Sequence, residues 1–209
     1  MTFTLSRNTS LLRDATALAL LFLISSVLCI LFTRQASSTV ATLWLPNGLA
    51  IAWLLRSAPR RWPLQLLAVW LAGALAELPF SGDPAIGALY SLPNLAEILF
   101  GAWLLHGRIL HPERNVAAMG RLLFYGVLVT PLAGTALGTL IAAQQGNPEL
   151  LRVALHWYLG DALGLLVMMP LAFLGRPLQW RQFSRQGARE FIVLLLISPG
   201  PRLECRGAG

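Results

Sequence analysis

Residues 122–143 read LLFYGVLVTPLAGTALGTLIAA, 22 residues without a charge. A helix needs about 20 such residues to cross a ~30 Å hydrocarbon core, so this run points to a chain dissolved in lipid. Working outward, the same pattern recurs. Val153–Leu174 is interrupted by one acid, Asp161, and Pro84–Leu105 by one acid, Glu97. Gln35–Leu55 and Ala15–Thr33 run for 21 and 19 uncharged residues. Trp62–Ala76 has 15 and is short, unless Leu78-Pro79-Phe80 extends it past Glu77. A last apolar segment, Phe191–Ser198, stops after 8 residues at Pro199-Gly200-Pro201. The expectation is an all-α polytopic transmembrane helical bundle with six full spans and an incomplete seventh. Its organisation reads as an N-terminal segment 1–14, an integral-membrane region 15–198 and a tail 199–209.

Composition agrees with this reading. Of the 209 residues 56% are hydrophobic and only 12% charged, where a soluble domain carries about 25% charged residues. Disorder and a soluble enzyme are both excluded. A 19-residue first run exceeds a signal-peptide core of about 7–15 residues, and no small-residue cleavage site follows it, so the first helix is retained. Cys29 and Cys205 form neither a disulfide framework nor a metal site.

The basic residues give direction. All 16 are Arg, and the net charge is +7. With the N-terminus in the cytoplasm, the inner segments hold twelve arginines of the first 189 residues and the outer segments two, Arg34 and Arg152. That is the positive-inside bias of a plasma-membrane protein. Topology thus accounts for the charge, and a nucleic-acid partner drops out. Trp62, Trp103 and Trp157 fall near the proposed span ends, as an interfacial aromatic belt would place them. Gly134 with Gly138, and Gly160 with Gly164, recur at the spacing that lets helix backbones approach in a bundle.

Three features are foreign to a lipid-facing helix. Pro46-Asn47-Gly48 sits midway along the second run. Two readings stay open: an ordinary proline kink, or a broken helix at a midplane site. Glu97 shares a helical face with Asn94 and Gly101, and Asp161 shares one with Trp157 and Gly164. A carboxylate at such depth costs about 2.5–3.5 kcal/mol on insertion scales and should face the bundle interior. Protonation, a hydrogen-bonded pair or a cation held between the two acids would each resolve it, and no Arg or Lys lies within a span to pair with them. His156-x4-Asp161 matches an acyltransferase pattern, but five helical residues set the two side chains about 140° apart. His106 and His111 lie in a basic loop and read as solvated. No catalytic constellation, metal site or cofactor motif is present in the sequence, and an enzyme is not expected.

LWLPNGLAIAWLL at 43–55, NLAEILFGAWLL at 94–105 and WYLGDALGLLVMMPL at 157–171 together resemble the first class of the membrane-associated sensor (MASE) domains. The resemblance covers roughly residues 11 to 198. It implies a bacterial inner-membrane input module of about eight helices, of the kind found ahead of histidine kinases and diguanylate cyclases. Its pattern falls on Trp44, Pro46, Asn47 and Gly48, on Asn94, Glu97 and Gly101, and on Trp157, Gly160, Asp161, Gly164 and Pro170. From these, Trp44, Pro46, Asn47, Gly48, Asn94, Glu97, Trp157 and Asp161 are the expected signal-sensing or ligand-binding residues; Gly134, Gly138, Gly160 and Gly164 are, by their spacing, the expected packing residues. The expected partners are the lipid bilayer and a small ligand or membrane-protein partner, with a homodimer left open. An alternative is a small transporter or permease subunit that uses Glu97 and Asp161. The family continues through further helices into an output domain. The short seventh segment and a tail rich in Pro, Gly, Arg and Ala leave two readings: an out-of-frame tail that truncates the receptor before its output, which is the expectation, or a natural stand-alone protein whose last element lies at the interface.

Overall fold

A computed structural model describes residues 2–33, 42–106 and 120–174, and within these the side chains of 10–33, 42–106 and 120–169. The chain divides into a unit of residues 1–172 and a second of residues 173–209. The site lies within the first unit; Phe191–Ser198 and the tail lie outside the described residues.

The helices are α1 (Thr2–Thr33), α2 (Pro46–Arg56), α3 (Trp62–Ser81), α4 (Pro84–Leu105), α5 (Pro131–Gln144) and α6 (Leu150–Leu174). A 3-10 turn, Pro59–Arg61, leads into α3, and a π-helical segment, Leu122–Val129, leads into α5. Among the described residues there is no strand, and the all-α bundle is as expected. Five stretches are long and apolar enough to cross a membrane: Ser10–Thr33, Pro59–Ser81, Pro84–Leu105, Leu122–Gln144 and Leu150–Met169.

The second apolar run behaves differently. Its helical part has 11 residues, about 16 Å of helix, half a membrane crossing. Pro46 occupies the first turn of α2 rather than the middle of a longer helix. Neither the plain kink nor a full helix 35–55 describes it. The physical reason is that proline lacks the N–H a helix interior needs, whereas the first turn has no intrahelical partner for that N–H.

The unwound residues before α2 are held by neighbouring helices. Thr42 donates to the Thr33 carbonyl from both its backbone N–H (3.3 Å) and its hydroxyl (2.9 Å). The Trp44 N–H donates to the Gly160 carbonyl inside α6 at 3.1 Å. Irregular backbone at membrane depth is tolerated where protein satisfies it, and here α1 and α6 do so.

The third run extends to Ser81 through Pro79, so it is long enough to cross. It closes on a tight hairpin. Gly82 takes φ +68 and the Asp83 carboxylate accepts from the Ala85 N–H at 2.8 Å, with Pro84 opening α4. The left-handed residue suits glycine, and the Asp cap fills an orphan donor. One end of the bundle gathers Asp14 with Arg61, bonded at 2.8 Å, and Trp62, whose indole donates to the Leu54 carbonyl at 3.0 Å and meets His106 edge-on at 5.4 Å.

The expected aromatic belt needs correction. Trp103 is 62% exposed, facing outward as a belt residue would, but Trp62 and Trp157 are buried. Both are used inside the bundle, Trp62 on Leu54 and Trp157 against Gly138. Position near a span end does not distinguish an indole at the lipid interface from one packed within the protein.

Candidate functional site

Buried polar side chains are scattered through the core, among them Ser26, Gln65, Ser91 and Thr130, and they gather at one junction, where α2, α4 and α6 meet. Asn47 and Glu97 are fully buried and Asp161 is 2% exposed. Each sits on the inward face of its helix, so the helical period that aligned Glu97 with Gly101 and Asp161 with Trp157 and Gly164 also aims them at one another.

A relay of side-chain bonds ties the junction together. The Trp44 indole donates to Asn47 Oδ1 at 3.1 Å, and Asn47 Nδ2 donates to Asn94 Oδ1 at 3.1 Å. One asparagine thus links the unwound segment to α4. The Glu97 and Asp161 carboxyls lie within hydrogen-bonding reach of each other, with the Asn47 amide beside Glu97 and the Trp157 indole beside Asp161. Neither oxygen of Glu97 receives a well-formed hydrogen bond, nor does Asp161 Oδ2.

Glycines make the junction sterically feasible. A methyl group at Gly134 of α5 would stand 2.6 Å from Glu97 Oε2, and one at Gly138 would stand 2.8 Å from the Trp157 ring. These two glycines make room for an inward carboxyl and an indole. Gly164 does bring backbones together: a Cβ there would overlap the Trp44 carbonyl. Gly160 supplies the carbonyl that Trp44 binds. Gly48 abuts Met168 at 2.6 Å and Gly101 abuts Thr130 at 2.6 Å, measured from the same hypothetical methyl. Pro46 is buried at the start of α2.

Of the eight residues expected to form the site, Trp44, Asn47, Asn94, Glu97, Trp157 and Asp161 meet at the junction, while Pro46 and Gly48 flank Asn47 at the start of α2, Gly48 against Met168. Asn94 is half-buried and reaches the site only through Asn47. Pro170 falls in a part of α6 whose side chains lie outside the described residues. His156 is exposed, opposite to buried Asp161 on an unbroken helix, so the two form no dyad.

Two contributors escaped the sequence reading. Thr33 caps the end of α1 and accepts the returning chain, a role with no signal in its surroundings. Thr130 is fully buried, donates to the Tyr125 carbonyl at 2.8 Å and packs on Gly101. Its backbone N–H also bonds Tyr125 at 3.1 Å, the wide π-type turn. The Thr130-Pro131 pair could have flagged it, since proline at 131 withholds a helical donor.

Among the described residues no group of three or more His, Cys, Asp or Glu side chains could hold a metal ion. What the junction offers chemically is directional: buried acceptors, two amides and two indoles, arranged between three helices.

A curated relative, the probable diguanylate cyclase DgcE of Escherichia coli (strain K12), is 29% identical over 145 residues. The aligned region is 68% of this chain but 13% of that protein. No solved structure matches. The MASE1 family profile matches residues 13–199 and so includes every residue of the junction. The chain belongs to the MASE1 family of membrane sensory domains.

Proposed function

We propose that the α2–α4–α6 junction is where this sensory domain receives its signal. The observation that supports this is the convergence of Trp44, Asn47, Asn94, Glu97, Trp157 and Asp161, drawn from three distant segments, on one buried polar contact. Polar groups at membrane depth are costly unless function or pairing retains them. Here the carboxyl oxygens are left short of donors, which favours a functional role over plain structural bonding.

The mechanism follows from α2. It is a half-length helix, held to α6 by the Trp44 backbone and to α4 by Asn47. A signal that binds the carboxyls better in one packing of these helices than in another shifts the population between the two. The output is read by whatever the receptor carries on its cytoplasmic side. By resemblance to the matched relative that output is of the diguanylate cyclase type, with a histidine kinase as the other type found behind such domains. The twelve-to-two arginine split supports a cytoplasmic N-terminus. A small ligand or a membrane-protein partner would act at the junction.

The test is a chimera in which residues 13–199 replace the matching segment of the Escherichia coli relative, with cyclic diguanylate measured in cells. Asn47→Ala and Asp161→Asn should each change the output at least about 5-fold at equal membrane abundance, a population shift of roughly 1 kcal/mol. Output unchanged in both variants would remove the junction from signalling.

A further inference from the structure

We propose that Glu97 and Asp161 form an intramembrane binding site for a monovalent cation, sodium in the first instance. The inference deepens the proposed sensory reading by naming the chemistry of what occupies the junction.

Supply and demand of hydrogen bonds come first. Three carboxyl oxygens, Glu97 Oε1, Glu97 Oε2 and Asp161 Oδ2, are buried without a well-formed hydrogen bond. Of the nearby donors, the Trp44 indole goes to Asn47 and one Asn47 N–H goes to Asn94, which leaves the second Asn47 N–H beside Glu97 and the Trp157 indole beside Asp161. Those two N–H groups face four carboxyl oxygens, and an ionised carboxylate only accepts, so in the ionised form the junction carries more acceptors than donors. A buried acceptor left this way is costly.

Charge gives the sign of the occupant. The chain contains no Lys. Of the described arginines, Arg61 and Arg13 lie against Asp14, Arg152 bonds Glu149 and Arg56 bonds the Ala52 carbonyl, while Arg60 and Arg121 are exposed at the surface. Among the described residues no protein cation pairs with either acid. Buried charges are tolerated when paired or when they coordinate an ion.

Size and donor type narrow it further. The Glu97 carboxyl is packed against Gly134 and the Trp157 indole against Gly138, so closely that a methyl group fits at neither glycine without displacement. Packing that tight around both side chains favours a bare ion, held by the carboxyl oxygens themselves, over an organic ligand. The free donors are oxygens, which select hard cations. Three of them fall well short of the about six to eight that calcium takes, and a magnesium ion gives up its water shell reluctantly. A monovalent ion asks least of so small a set.

Occupancy would also act on the moving part. Asn47 stands between α2 and α4 beside Glu97, so an ion drawing the two carboxyls together would change how tightly the first turn of α2 is held.

The experiment uses the full chain in detergent micelles at fixed pH. Thermal unfolding is followed in sodium chloride, potassium chloride, magnesium chloride and choline chloride at one ionic strength. Sodium should raise the midpoint saturably, by about 3 °C or more relative to choline, as expected of a ligand that binds only the folded state. Glu97→Gln and Asp161→Asn should each abolish the difference. Broadening of the sodium-23 resonance by the wild-type chain provides a second readout that needs no stable variant. Equal midpoints in sodium and choline, an equal or larger effect of magnesium, or a sodium effect that survives in both variants would each overturn the proposal. A chimera whose output responds to Asp161→Asn while sodium binding is absent would leave the sensory reading standing alone. Sodium binding with an output indifferent to both variants would do the reverse.

Discussion

The seam between α1 and α3 and the junction of α2, α4 and α6 hold the same bundle together by different means. The first is apolar throughout much of its length. Leu18 and Phe22 of α1 and Val69, Ala72 and Ala76 of α3 are buried there, beside an open groove of about 310 Å³ lined by leucines and alanines such as Leu20, Ala68 and Leu71. The second is built on Asn47, Glu97 and Asp161. In lipid there is little hydrophobic gain from moving a leucine off the tails and onto another helix, so an apolar seam rests on shape alone. It can slide by small steps at small cost. A hydrogen-bonded junction cannot, because an amide displaced by an ångström has lost its partner. On the proposed sensory reading, the first region serves as scaffold and the second as the element with two positions.

Substitutions can break or sharpen that contrast. The largest effect should come from Gly164→Val, which drives a side chain into the Trp44 carbonyl. Backbone cannot step aside as a flexible side chain can, and a loss of at least about 3 kcal/mol is expected. Thermal unfolding in detergent and the yield of monodisperse protein would register it. If Gly164→Val unfolds like the parent chain, the close crossing of α6 by the unwound segment is wrong.

Asn47→Ala comes next. It strips the Trp44 indole of its acceptor and Asn94 of its donor, and losing the partners of these two half-buried groups costs about 1–3 kcal/mol together. Chemical denaturation should show the loss, and the double variant Asn47→Ala/Asn94→Ala should lose less than the two single losses added, because the two residues share one bond. Additive losses would argue that the amides act separately. At the small end stands Leu71→Ala on the α1–α3 groove. Leu71 is 49% exposed, and replacing a half-exposed leucine that faces acyl chains should cost about 1 kcal/mol or less. A cost near that of Asn47→Ala would erase the contrast between the two regions.

Much of the bundle could be read from charge spacing. Pro84–Leu105 matches α4 at both ends, since the run is bounded by Asp83 before it and the polar His106 after it. The inward faces of α4 and α6 followed from Glu97 and Asp161 themselves, which could not face lipid. Less legible was the second run. Its hydropathy is that of a crossing helix, and only the fold reveals that Pro46 begins a helix whose preceding turn is bonded to Thr33 and Gly160. Trp62 and Trp157 misled for a related reason, because an indole near a span end looks the same in sequence whether it meets lipid or a glycine. Gly134 and Gly138 had the spacing of backbone contact, yet they accommodate side chains from α4 and α6.

From the sequence alone came the all-α membrane fold, the apolar runs and the face of each helix that carries polar groups. Those are local properties, set by hydropathy and a 3.6-residue period within about one helix length. Tertiary structure alone decided which polar groups meet: Asn47 with Asn94, Glu97 with Asp161, the Trp44 backbone with Gly160. Such pairings join residues dozens of positions apart, and no local period encodes which helix packs beside which. They were settled by where small residues let helices approach, and by the need of each buried polar group to find a partner where water is absent.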